Sequence, residues 1–118
     1  ELRNRFFKGC IPPKDISLKH NGSDVCAVFE GFMDYLSAIQ LGIIVSDWLV
    51  LNSVSNVEKA VKALQGYERI EYFLDNDEAG RRTFQRLYEC FGEKVIDHSS
   101  LYADYKDLND YLLSQRQV

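Results

Sequence analysis

Ile70-Glu71-Tyr72-Phe73-Leu74-Asp75-Asn76-Asp77-Glu78-Ala79-Gly80 is the stretch whose reading decides the fold. Its first half is a short apolar run, rich in aromatic residues and free of turn formers, of the length of a buried β-strand. The run ends on Asp75 and Asp77. Asp77 also stands where the N-cap of a following helix belongs, because Phe84, Leu87, Tyr88 and Phe91 recur at helical spacing. A carboxylate pair on a strand-to-helix corner lies at the carboxyl end of an open α/β sheet, where ligands bind. Two acids held close repel one another unless a cation sits between them, and hard oxygen ligands suit Mg²⁺.

Moving outward, the same pattern recurs upstream. Val25 to Phe29 is nearly all apolar and runs into Glu30-Gly31, and a helix is expected from about Phe32, with Phe32, Tyr35, Leu36 and Ile39 on its inward face and Gly42 as its stop. Trp48 to Leu51 reads as a second buried strand. Ser55 and Glu58 then have capping-box spacing ahead of a helix carrying Val57, Val61 and Leu64 and closed by Gly66. Downstream of the central corner, Lys94 to Ile96 is a shorter strand. A polar stretch then leads to a last helix opening at Asp107, with Leu108, Tyr111 and Leu112 inward. Strands alternating with helices imply right-handed crossovers and a mainly parallel sheet covered on both faces. Before all of these, Ile16 and Leu18 alternate with polar residues ahead of Asn21-Gly22, a strong hairpin signal. Residues 1–24 are therefore expected to give an antiparallel hairpin strand at the sheet edge, and residues 25–118 the domain proper.

Composition bounds the function. At 118 residues with 46% apolar content the chain is one compact domain's worth, and no apolar run is long enough to span a bilayer. The absence of a methionine at Glu1 suggests a piece of a longer protein. Cys10, Cys26 and Cys90 are odd in number and widely spaced, giving neither a disulfide framework nor zinc-ligand spacing, which fits a reducing, cytoplasmic setting. A net charge of −4 argues against nonspecific nucleic-acid binding, which rests on many Lys and Arg contacts. Arg3, Arg5, Lys8, Lys14 and Lys19 nevertheless allow a basic edge in the first twenty residues, with a merely solvated face as the equal alternative.

In a parallel sheet Glu30 and the Asp75/Asp77 pair leave from the same end. Asp34, one helical turn past Glu30, and Asp107, at the head of the last helix, can join them. Five converging carboxylates are a liability without metal; with one or two Mg²⁺ they become a device for phosphoryl or nucleotidyl chemistry. Taken singly, Asp34, Asp77 and Asp107 are ordinary helix-start acids. Glu30 is harder to explain in that way, since it serves no capping box and its burial is costly without a partner. Arg81 and Arg82 more readily meet a neighbouring acid such as Glu78 or Glu89 than a phosphate, and His20 and His98 read as surface or turn residues. A calcium EF-hand loop beginning at Asp75 fails because its fifth and twelfth positions are Ala79 and Arg86. A haloacid-dehalogenase-type site would want Thr or Val at Ala79, and a receiver domain would want an adjacent acid pair where Glu30-Gly31 stands.

Glu30-Gly31-Phe32-Met33-Asp34 after one strand, Asp75-Asn76-Asp77-Glu78-Ala79-Gly80 after another, and Lys106-Asp107-Leu108-Asn109 at a late helix together resemble the toprim domain. That domain is shared by primases, type IA and type II topoisomerases, OLD-type nucleases and a recombination mediator. The resemblance is nearest to bacterial, phage and mobile-element DNA primases and spans roughly Val25 to Leu113. It implies an α/β, Rossmann-like domain of about four mainly parallel strands. Asp75, Asp77 and Asp107 would hold Mg²⁺ (or Mn²⁺), Glu30 would act as general acid/base or ligand, Asp34 would support the cluster, and Gly31 and Gly80 would permit the tight corners. The implied activity is RNA primer synthesis from nucleoside triphosphates on single-stranded DNA during replication, with a zinc-binding domain and a helicase as associated parts. The alternatives are a noncatalytic module of a recombination or mobilisation protein, and a nuclease. No tyrosine has a context that marks a nucleophile, so the topoisomerase reaction is not expected of this chain alone.

Overall fold

A computed structural model describes residues 15–43 and 46–115. Five strands, β1 (Ser17–Lys19), β2 (Val25–Phe29), β3 (Asp47–Val50), β4 (Arg69–Phe73) and β5 (Val95–Asp97), form one sheet in the order β1-β3-β2-β4-β5. The last four are mutually parallel and β1 is antiparallel to β3. Four helices, α1 (Phe32–Gln40), α2 (Val57–Ala63), α3 (Glu78–Phe91) and α4 (Leu108–Gln115), connect and cover them. Strand alternation sorts the core into two layers. Cys26, Val28, Leu49, Ile70, Tyr72 and Leu74 pack with Ala60 of α2, Leu64 at its C-terminal cap and Leu87 of α3 on one face. Ala27, Phe29, Val50 and Phe73 pack with Ala38 and Leu108 of α1 and α4 on the other. Among the described residues no helix is long and apolar enough to cross a membrane.

The sheet, its parallel core and its antiparallel edge strand agree with the reading from sequence, but three local expectations are corrected. The edge strand does not fold back onto β2. Gly22 makes the expected turn at φ +85°, but Asp47 Oδ1 accepts the Asn21 and Ser23 amides at 2.9 and 3.2 Å. The turn is thereby fastened to the start of β3, and β1 pairs there, Leu18 opposite Leu49. Second, Ser53 rather than Ser55 provides the cap, accepting the Ser55 amide ahead of a short 3₁₀ turn, Val54–Asn56, while Glu58 pairs with Arg86 at 2.6 and 2.8 Å. Third, the buried face of α1 is Asp34, Ser37 and Ala38; Phe32, Leu36 and Ile39 are exposed. The anticipated Arg3, Arg5, Lys8 and Lys14 edge lies outside the described residues.

The corner after β4 is built tightly. Asp77 caps α3, its Oδ1 accepting the Gly80 amide at 2.8 Å, and Gly80 packs so close to the chain behind it that a Cβ would overlap the Asp75 carbonyl. Tyr72 donates its hydroxyl to the Gly80 carbonyl, pinning the first turn of α3 to the strand it follows. Gly31 is under no such constraint: its φ is −128°, and the atom nearest a Cβ placed there would be Asp34 Oδ2 at 3.8 Å.

Candidate metal centre

Three carboxylates meet above the carboxyl ends of β2 and β4. Asp34 in the first turn of α1, Asp75 just past β4 and Asp107 just before α4 each offer an oxygen within 4.8 Å of the others. Asp34 is buried, and Asp75 and Asp107 are partly so. Asp77 is not a member of this triad, and one of its oxygens caps α3. Glu30, at the end of β2, lies beside the group with its Oε1 buried and, among the described residues, without a hydrogen-bond partner.

Asp107 reaches the site because the loop before it is carried on Asn76. The Asn76 side-chain amide donates to the Tyr102 and Tyr105 carbonyls at 2.9 and 3.0 Å, and its backbone N–H donates to the Lys106 carbonyl at 2.7 Å. Tyr102, buried below, donates its hydroxyl to the Leu74 carbonyl at 2.9 Å. On the opposite side the Asn109 amide donates to Asp34 Oδ1 at 3.2 Å, and Asn109 Oδ1 accepts from Ser37 Oγ at 3.1 Å. Asp107 itself caps α4 through the Asp110 amide at 2.8 Å. Sequence reading marked Asn109 as part of a motif but assigned no task to Asn76 or Ser37. An amide lying between two aspartates gives no periodic signal, because its partners are carbonyls 26 to 30 positions away that only the fold brings near.

A family model described as Toprim-like matches residues 27–112. The chain belongs to the Toprim-like family. It is similar to the primase fragment of the bacteriophage T7 primase-helicase protein, with 25% identity, a TM-score of 0.66, and coverage of 80% of this chain and 41% of that one. It is also similar to a chain in the complex of T7 lagging-strand DNA polymerase with primase domains bound to an RNA/DNA hybrid and dTTP, with 25% identity, a TM-score of 0.65, and coverage of 81% and 50%. The chain thus spans half or less of the solved primase chains it matches. A small TOPRIM domain protein from Bacillus stearothermophilus matches at 16% identity and a TM-score of 0.48, over 80% of this chain and 86% of that one. No curated protein matches the sequence.

In this Toprim-like domain the electrostatics of the corner bear on whether a divalent cation fits. Burial, then the charges of Glu30, Asp34 and Asp107, push the Asp75 carboxyl up to about 7. Burial and the neighbouring Asp107 push Asp34 up to about 6. Burial, followed by the charge of Asp77, raises Glu30 as well. Each group is thus held against its own ionisation by the low dielectric and by its neighbours. A hard cation answers both problems, since it neutralises the charge and takes up the lone pairs of oxygens such as Glu30 Oε1 that have no donor. The all-oxygen donor set fits Mg²⁺ or Mn²⁺ and offers nothing to a soft metal. Of the sequence-marked cations, Lys106 acts on Glu30 by its charge, and Arg82 pairs with Glu78 at 2.9 Å. His98 stacks on Phe73 at 4.8 Å, and His20 hydrogen-bonds Tyr67 at 2.7 Å.

Proposed function

We propose that this domain is the metal-binding nucleotidyl-transfer domain of a DNA primase-type enzyme, acting on nucleoside triphosphates and a single-stranded DNA template. The observation that carries the reading is the meeting of Asp34, Asp75 and Asp107 within 4.8 Å, with the partnerless Glu30 oxygen beside them. Membership of the Toprim-like family and likeness to the T7 primase chains support it.

In this reading Asp34, Asp75 and Asp107 hold Mg²⁺ or Mn²⁺, and Asp77 contributes charge while fixing the corner. When bound, the cation neutralises and orients phosphate oxygens. Glu30 is the proton acceptor, its carboxyl made more basic than an ordinary glutamate by burial and then by the charge of Asp77. Asn76 and Asn109 are positioning residues that hold Asp107 and Asp34 against the corner without touching substrate. A zinc-binding domain and a helicase acting with it belong to the same proposal.

The experiment is a pair of NMR titrations of the labelled chain. Substoichiometric Mn²⁺ is expected to broaden the amides of Gly31, Asn76 and Asp107 before any others. Nucleoside triphosphate is expected to shift those same amides only when Mg²⁺ is present. Broadening confined to acids such as Glu68, Glu93 and Asp104 would overturn the metal assignment. Metal-dependent cleavage of single strands without nucleotides would favour the nuclease.

A further inference from the structure

The outward face of α1 carries an aromatic group that the metal centre does not use. Phe32, the first residue of the helix and two positions past Glu30, is 49% exposed. Its ring lies 5.5 Å from that of Tyr35 and meets Trp48 edge-on at 6.3 Å, while the Tyr35 and Trp48 rings lie 4.4 Å apart, tilted by 30°. An amphipathic helix ordinarily turns such residues inward. Here α1 buries Asp34, Ser37 and Ala38 instead, and leaves Phe32 exposed over Tyr35 and Trp48, which are partly buried against the core. On the neighbouring strand Lys19 stands directly opposite Trp48 in the antiparallel pair, which puts the two side chains on the same face of the sheet. Lys19 is exposed and has no ion pair among the described residues.

An exposed ring supported from beneath by two others, with a cation alongside, is the arrangement by which proteins hold single-stranded nucleic acid: a base stacks on the ring and the cation meets the backbone. We propose that Phe32, supported by Tyr35 and Trp48 and flanked by Lys19, is a stacking platform for a base of a single strand entering the carboxylate site. The proposal rests on the nucleotidyl-transfer reading for the kind of strand that arrives, but the contact needs no metal. A single stranded patch of this size binds weakly and tolerates any base sequence, since every base has a π-face.

Trp48 is the chain's single tryptophan and reports directly on the platform. Its emission is followed while oligothymidylate is added in chelator at low salt, with inorganic polyphosphate as an anion that carries no bases. The oligonucleotide is expected to quench Trp48 and polyphosphate is not. Phe32→Leu, which keeps an apolar side chain at a half-exposed position, is expected to weaken the oligonucleotide at least about five-fold. Lys19→Gln is expected to weaken it and to lower the slope of binding against salt by about one ion. Equal quenching by polyphosphate, quenching untouched by Phe32→Leu, or no quenching at all would overturn the platform. An emission change that follows protein concentration alone would likewise overturn it and mark the face as a contact between copies. Because the titration is run in chelator, a metal-site reading that fails leaves this result standing, and the reverse holds as well.

Discussion

The Asn109 amide donates to the Asp34 carboxylate across 75 positions of sequence, joining the start of α4 to the first turn of α1 at 3.2 Å. A buried carboxylate raised by its surroundings is thereby given one donor and left with lone pairs to spare. That relation makes the acids of this corner partly satisfied without metal and better satisfied with it.

Asp75→Asn keeps the shape of the corner and removes one charge. In chelator the variant is expected to be as stable as wild type or slightly more so, because the like charges of Glu30, Asp34 and Asp107 no longer oppose a fourth. Mg²⁺ at ten times its dissociation constant should stabilise wild type by about 1.4 kcal/mol, and the variant should lose most of that gain. Thermal melts of both proteins in chelator and in Mg²⁺ check it. A variant clearly less stable in chelator, with no response of either protein to Mg²⁺, would show Asp75 to be a structural acceptor.

Gly80→Ala places a methyl group against the backbone carbonyl of Asp75, which cannot move aside as a side-chain tip can. The expected cost is about 1–3 kcal/mol, as for overpacking elsewhere, read from urea unfolding. Gly31→Ala brings its methyl only into ordinary van der Waals contact with Asp34 Oδ2, at an ordinary φ, and is expected to stay within about 0.5 kcal/mol of wild type.

Asp47, at the other end of the sheet, contributes to the acid limb of stability. Burial pushes its carboxyl up, but the Tyr67 hydroxyl at 2.5 Å and the Asn21 and Ser23 amides outweigh that and hold it below the usual carboxylate range. A depressed folded-state value means that the stabilisation is present above the unfolded value near 3.9 and is lost as pH falls through the lower folded one. Tyr67→Phe removes the hydroxyl donor and should cost about 1.5–3 kcal/mol at pH 7, shrinking below about pH 4. Urea melts across pH 7 to 3 measure this, and a cost that stays constant with pH would mean that Tyr67 acts through packing alone.

The purified 118-residue chain is expected to make no primer on single-stranded DNA, even with Mg²⁺ and all four nucleoside triphosphates. A net charge of −4 and a single weak stacking platform do not hold a template in place against the repulsion of its phosphates. Incorporation of labelled nucleotide into product is the measurement, and robust synthesis would place the template-holding surface within this chain.

How much of this was legible in the letters depended on how local each cause is. Strand β2 and the corner after β4 were read correctly because runs such as Val25–Phe29 and caps such as Asp77 act over a few residues. The destination of β1 was not legible. Asn21-Gly22 does turn the chain, but the Asp47 carboxylate, 25 positions on, decides which strand it turns towards. The inward face of α1 was misjudged for a related reason. Hydrophobicity pointed to Phe32, Leu36 and Ile39, whereas the polar Asp34 and Ser37 are drawn inward by Asn109, a partner on another helix. The acids themselves were all marked from sequence. Their grouping into Asp34, Asp75 and Asp107, with Asp77 spent on a cap, needed the loop that Asn76 carries.

Asp75 and Asn76 are chain neighbours whose side chains go separate ways, one to a cluster of carboxylates and the other to carbonyls of the 102–105 loop. A shift of one residue at this point would bring a carboxylate to the row of carbonyl oxygens that Asn76 now serves as donor, and two sets of acceptors would face one another. The register of a short corner is therefore guarded twice, by attraction on the correct alignment and by repulsion on the wrong one. Single-residue insertions or deletions between Leu74 and Gly80 are consequently the changes this domain is least able to absorb, although the corner lies at the surface end of the sheet, where loops usually vary freely.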